Sequence, residues 1–126
     1  MSSLRKNPLT AYEKALVAAG SAISLVKRVP SPLKSLADQV IRSASSVPAN
    51  LTEGHGRVGR DRIHHWRIAY ASTKEVDCHF RLLMNAGAID HQRATYAIDF
   101  FDEVDVAQDA PPAARAMTWR LLHPKP

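Results

Sequence analysis

An all-α, antiparallel up-down-up-down four-helix bundle is the fold class this sequence predicts, and three observations carry the prediction. Apolar residues recur at steps of three and four along four separate stretches, without period-two alternation. The composition is 45% hydrophobic but holds only three Phe, three Tyr and two Trp, which suits an aliphatic, alanine-rich core. The stretches are joined by short links, and short links make consecutive helices antiparallel. The 126 residues suffice for one core and are too few for two, so residues 1–126 read as a single domain. Its helices are expected at about 9–29, 32–53, 60–86, and 91–109 plus 112–122.

The first helix is expected to start near Thr10, because Thr10 and Glu13 have capping-box spacing. Asn7 followed by Pro8 is a competing start. Leu9, Tyr12, Leu16, Ala19, Ile23 and Val26 then form one apolar stripe that runs until Pro30. Ser31 and Pro32 read as the cap and first position of the second helix. Leu33, Leu36, Val40, Ala44, Val47 and Leu51 are its expected buried face. Pro48 removes one intrahelical hydrogen bond and crowds the Ala44 carbonyl, so a kink or local break is expected there. Gly54 and Gly56 allow left-handed backbone and an exit from the helix.

Asp61 or Gly59 is the expected cap of the third helix, whose stripe is Ile63, Trp66, Tyr70, Thr73, Val76, Phe80 and Leu83. Cys78, a single thiol inside that helix, reads as a small apolar filler and excludes an internal disulfide or a thiolate zinc site. Asp90 is a cap for the fourth helix, which continues through Ala94, Ile98, Phe101 and Val104. Pro111 and Pro112 interrupt it, and Ala113 to Leu122 resumes a helical pattern with Met117, Leu121 and Leu122 inward.

The apolar runs fall far short of the roughly 18 residues of a spanning helix, so no membrane association is expected. The start, MSSLRKNPLT, has no apolar h-region, and a cytoplasmic location is expected. Charge is unevenly spread. Residues 1–88 hold thirteen Lys or Arg against six Asp or Glu, while residues 89–126 hold four against six. A basic body with an acidic end favours attraction of nucleic acid or the pairing of unlike subunit faces.

Arg42, Ser46, Asn50 and Glu53 are spaced by four, four and three, so a continuous helix puts them on one face. Ser72 and Glu75 are co-facial on the next helix. A polar network between the two helices follows, with Arg42 pairing Glu75 and Asn50 satisfying the carbonyl freed by Pro48. Glu53 and Glu75 are the two carboxylates an acid and base pair would need. No nucleophile accompanies them, and a register-fixing network is the commoner role. A di-iron site needs Glu-x-x-His on two helices; Glu75 and His79 are four apart, and adjacent His64 and His65 diverge on a helix. No catalytic residue, metal site or cofactor is therefore assigned.

Arg57, Arg60, Arg62 and Arg67, with only Asp61 opposing them, form the strongest basic cluster. Several guanidiniums at a helix start suit RNA or DNA phosphates without reading bases, and suit a subunit contact equally. Asp99, Asp102, Glu103, Asp105 and Asp109 form an acidic counterpart. The two patches could be halves of one heterologous interface, or could engage a protein partner.

RSASSVPANLTEGHGR followed by IAYASTKEVD resembles the four-helix-bundle protein family, also called the 23S rRNA intervening-sequence protein family. The matching positions are Arg42, Ser46, Pro48, Ala49, Asn50, Glu53, Gly54, Gly56 and Arg57, then Ile68, Ala69, Ser72 and Glu75. Thr52, Ala71, Asp77 and the Pro111-Pro112 break depart from the family's pattern. The resemblance covers about residues 42–88 and implies a homopentameric ring with no established reaction. More loosely, in fold and charge, the chain is similar to the accessory variability protein of diversity-generating retroelements. That protein forms a basic pentameric barrel working with a reverse transcriptase and nucleic acid.

Overall fold

A computed structural model describes residues 9–104 and Arg120. Four helices lie within them: α1 (Ala11–Val26), α2 (Lys34–His55), α3 (Gly59–Asn85) and α4 (His91–Asp102). Among the described residues there is no strand. The Asn7-Pro8 start, the Pro111-Pro112 break, the 112–122 segment, Asp105 and Asp109 lie outside them.

The Thr10 capping box is present in full. Thr10 Oγ1 accepts from the Glu13 backbone N–H at 3.1 Å, and Glu13 Oε1 accepts from the Thr10 N–H at 2.9 Å. Asp90 caps α4 by accepting from the Arg93 N–H at 2.8 Å. Ser31 does not cap α2; residues Ser31–Leu33 form a 3-10 turn before it, without a side-chain cap. At α3 the cap position falls to Val58, again without a side-chain bond, in place of Asp61 or Gly59.

Pro48 sits inside a continuous α2 and is buried. The Asn50 amide donates to the Ser46 carbonyl at 2.9 Å instead of the one at Ala44, because a side chain bonding back along its own helix reaches four residues, not six. Gly54 and Gly56 are not left-handed. Positive φ belongs to Gly59 (61°) and Gly87 (72°), at the entry to α3 and the exit from it. Gly56 closes α2 at φ −81°.

Gly54 has a different requirement. A Cβ there would overlap Trp66 Nε1 and Cδ1, so the missing side chain is the space the indole occupies. Trp66 is 1% exposed, and its Nε1 has no hydrogen-bond partner among the described residues. Such a donor costs about 1–3 kcal/mol, so the ring is held by its packing and not by its polar atom. The other large buried side chains are spread along the core: Phe80, Leu83 and Val76 of α3, Leu51, Val47 and Val40 of α2, and Val26 of α1.

The α2 and α3 helices pack most extensively, α1 lies against α2 and α4, and α4 also meets α3. Contacts between α2 and α3 run in opposite senses, Asn50 to His65 and then Ser46 to Ser72, so these two are antiparallel. The expected inward faces of α2, α3 and α4 are buried or half-buried.

On α1 the expected face is buried only in part: Ala19 and Val26 are inside and Ile23 is half-buried. Ala11, Ala15, Ala18 and Ala22 are fully buried, while Leu9, Tyr12 and Leu16 are 40%, 36% and 47% exposed. Two stripes on α1 share the three-and-four spacing, and the one that packs into the core carries mostly small side chains. Cys78 is likewise exposed and not a core filler.

Replacing Gly54 by Ala is expected to destabilise the fold by about 1–3 kcal/mol through overpacking. Gly56→Ala, where φ is ordinary and the nearest atom is the Glu53 carbonyl at 3.7 Å, should stay within about 0.5 kcal/mol. Urea unfolding of the two variants checks the contrast.

Candidate functional site

The motif expected from spacing converges between α2 and α3, with a different membership. Asn50 Nδ2 donates to the Ser46 carbonyl and, at 3.0 Å, to Ser46 Oγ. That leaves Asn50 Oδ1 as an acceptor, and His65 Nδ1 lies 3.0 Å from it, so the imidazole proton sits on Nδ1. Ser72 Oγ donates to Ser46 Oγ at 2.9 Å. Ser46, Asn50 and Ser72 thus form the network with His65, which spacing within the motif did not disclose. A signal was available: His65 and Ser72 are seven residues apart, and so lie on one face of α3.

Arg42, Glu53 and Glu75 stand outside this network. Arg42 and Glu75 are both exposed and form no ion pair with each other; two solvated charges gain little by pairing. Glu53 turns to Arg57, whose Nε donates to Glu53 Oε1 at 3.1 Å, and Arg57 also lies 3.9 Å from Asp61. The acid and base arrangement of Glu53 and Glu75 does not form.

The four arginines separate into different roles. Arg57 is neutralised by two carboxylates. Arg62 Nε donates to the Gly54 carbonyl at 3.0 Å, its guanidinium reaches toward the His55 carbonyl, and its Cζ lies 5.6 Å from the centre of the Trp66 ring. A cation on the last carbonyls of a helix opposes the negative end of the helix dipole, so Arg62 closes α2. Arg60 and Arg67 are exposed on α3. With His64 between them at helical spacing and Lys74 further along, they make one exposed basic strip.

Neither a metal nor a nucleophile is organised here. The His64 and His65 ring centres are 5.2 Å apart at 73°, but His65 already spends Nδ1 on Asn50. His79 Nδ1 lies 2.8 Å from the Glu75 carbonyl. Among the described residues there is no group of three metal-ligating side chains. A groove of about 370 Å³ between α1 and α4 is lined by Ser21, Ser24, Leu25, Gln92, Arg93 and Tyr96, and includes none of the residues above. No helix of the described residues is long and apolar enough to cross a membrane.

A family model described as 23S rRNA-intervening sequence protein matches residues 7–106. No curated protein matches the chain.

Asn50→Ala should cost about 1–3 kcal/mol, because it strands the His65 donor and removes two hydrogen bonds. Arg62→Ala should cost about 1–2 kcal/mol by uncapping α2, whereas Arg60→Ala should be silent within about 0.5 kcal/mol. Thermal and urea unfolding of the three variants test this partition.

Proposed function

The chain belongs to the 23S rRNA-intervening sequence protein family, and on that premise we propose that it is a non-enzymatic, self-assembling helical module. The observation that supports this reading is the surface of α1. Leu9, Tyr12 and Leu16 are exposed one turn apart, Val17 is 43% exposed beside them, and Ile23 continues the line half-buried. Large apolar side chains grouped on one helix are a costly surface in a free monomer and a usual one at a subunit contact.

The five-membered ring implied by the resemblance needs a heterologous contact between two unlike faces. Asp99, Asp102 and Glu103 are exposed on α4 without ion pairs among the described residues, and they complement the strip of Arg60 and Arg67. A second reading places RNA or DNA on that strip. It is favoured by the shared face of Arg60, His64, Arg67 and Lys74, since backbone phosphates are bound by rows of cations that ignore base identity. Arg57 and Arg62 contribute little to it, being engaged within the chain.

In solution the protein should have a multimeric mass, and the pair Tyr12→Ser and Leu16→Ser should reduce it to a monomer of unchanged helix content. A monomeric wild-type protein at micromolar concentration sinks the assembly reading. For the second reading, Arg60→Ala with Arg67→Ala should weaken low-salt binding to unrelated RNA and DNA alike and lower the salt slope by about 2. Equal binding by wild type and variant removes it.

A further inference from the structure

The groove between α1 and α4 lies apart from the α2 and α3 network and from the basic strip of α3. Its volume of about 370 Å³ is at the lower end of small-molecule sites. Of the six residues that line it, only Arg93 carries a charge. Asp90, the carboxylate nearest to Arg93 in the chain, accepts from the Arg93 backbone N–H as the cap of α4. The Arg93 guanidinium is exposed and forms no ion pair among the described residues. A concave surface with one unopposed cation carries a positive potential and draws an anion.

The α1 wall supplies hydroxyls that the fold leaves unused. Ser43, Ser45 and Thr73 turn theirs back onto carbonyls of their own helices, at 2.6, 2.7 and 2.7 Å. Ser21 and Ser24, three residues apart on one flank of α1, make no such bond among the described residues, and both line the groove. Gln92 adds a side-chain amide with two donors. A guanidinium fork, two hydroxyls and an amide offer more donors than the two oxygens of a carboxylate take up. They suit the three terminal oxygens of a phosphate monoester. The remaining lining is apolar. Leu25 is half-buried against the core, and Tyr96 is 57% exposed, its ring held on its own helix by an edge contact with Phe100 at 5.8 Å and 69°. A ring that is held in place and still open to solvent is a platform for a flat group.

We infer that the groove between α1 and α4 binds a small phosphate monoester with a flat aromatic body, the chemistry of a mononucleotide. Arg93 takes the phosphate, the Ser21 and Ser24 hydroxyls and the Gln92 amide complete its hydrogen bonds, and the flat body lies on Tyr96 and Leu25. The groove shares no residue with the exposed stripe of α1 or with the strip of Arg60 and Arg67. The site therefore stands or falls independently of self-assembly and of polymer binding.

Isothermal titration of the full chain with adenosine monophosphate tests the site, with an expected Kd on the order of 0.1 mM. Adenosine, which lacks the anion, and inorganic phosphate, which lacks the flat body, should each bind at least roughly tenfold more weakly. Arg93→Gln should weaken binding of adenosine monophosphate by roughly tenfold or more. Ser21→Leu, which fills the groove, should abolish it, and melting curves check that both variants fold. Arg60→Ala with Arg67→Ala should bind it as the wild type does. Phenyl phosphate should bind and benzoate should not; equal binding of the two overturns the assignment to phosphate. The site itself is overturned by any of three results: no binding of adenosine monophosphate at millimolar concentration, a folded Arg93→Gln variant that binds like wild type, or a loss of binding in the Arg60 and Arg67 pair.

Discussion

The seat of Trp66 on Gly54 is the constraint from which the rest of the bundle follows. The indole is larger than any other buried side chain, and it enters the end of α2 only because position 54 has no Cβ. Arg62 then reaches from the first turns of α3 to the Gly54 carbonyl, so one residue closes α2 while packing on the ring that α2 accommodates. Glycine, tryptophan and arginine make one unit that sets where α2 ends and where α3 returns. The Asn50, His65, Ser46 and Ser72 chain continues that register along the same pair of helices. Polar groups of this kind add little net stability but penalise any slip that would leave them unpaired.

With α2 and α3 supplying the bulky core, α1 packs against it chiefly through small side chains, Ala11, Ala15, Ala18, Ala19 and Ala22, with Val26 at its end. The consequence appears on the opposite flank, where the same helix shows Leu9, Tyr12 and Leu16 to solvent. A helix attached chiefly through alanines buries less apolar area than one attached through leucines. Covering the outer stripe with another chain would add burial where the monomer has least.

Much of this was legible in the residues. Helix number, the Thr10 and Asp90 caps, and the inward stripes of α2, α3 and α4 follow from spacing and short-range hydrogen-bond chemistry, which act over a few residues. The shared face of Ser46, Asn50 and Ser72 followed likewise. Less legible were the destinations of long polar side chains. Arg57 and Arg62 look alike in the sequence, yet one meets Glu53 and the other a helix end, because the turn from Gly56 to Val58 brings those groups within reach of different arms.

Periodicity and local capping were thus enough to specify an all-α chain, and the motif from Arg42 to Arg57 carried the resemblance to the 23S rRNA-intervening sequence protein family. They are properties of neighbours along the chain, so no tertiary information is needed to read them. The face that α1 buries, the reason for Gly54 and the separation of the arginines were decided only in the folded molecule. Each depends on volume or reach between helices distant in sequence. On α1 two stripes satisfy the same spacing, and the packing of the folded bundle, not the hydrophobicity of either stripe, turns the alanines inward and Tyr12 and Leu16 outward.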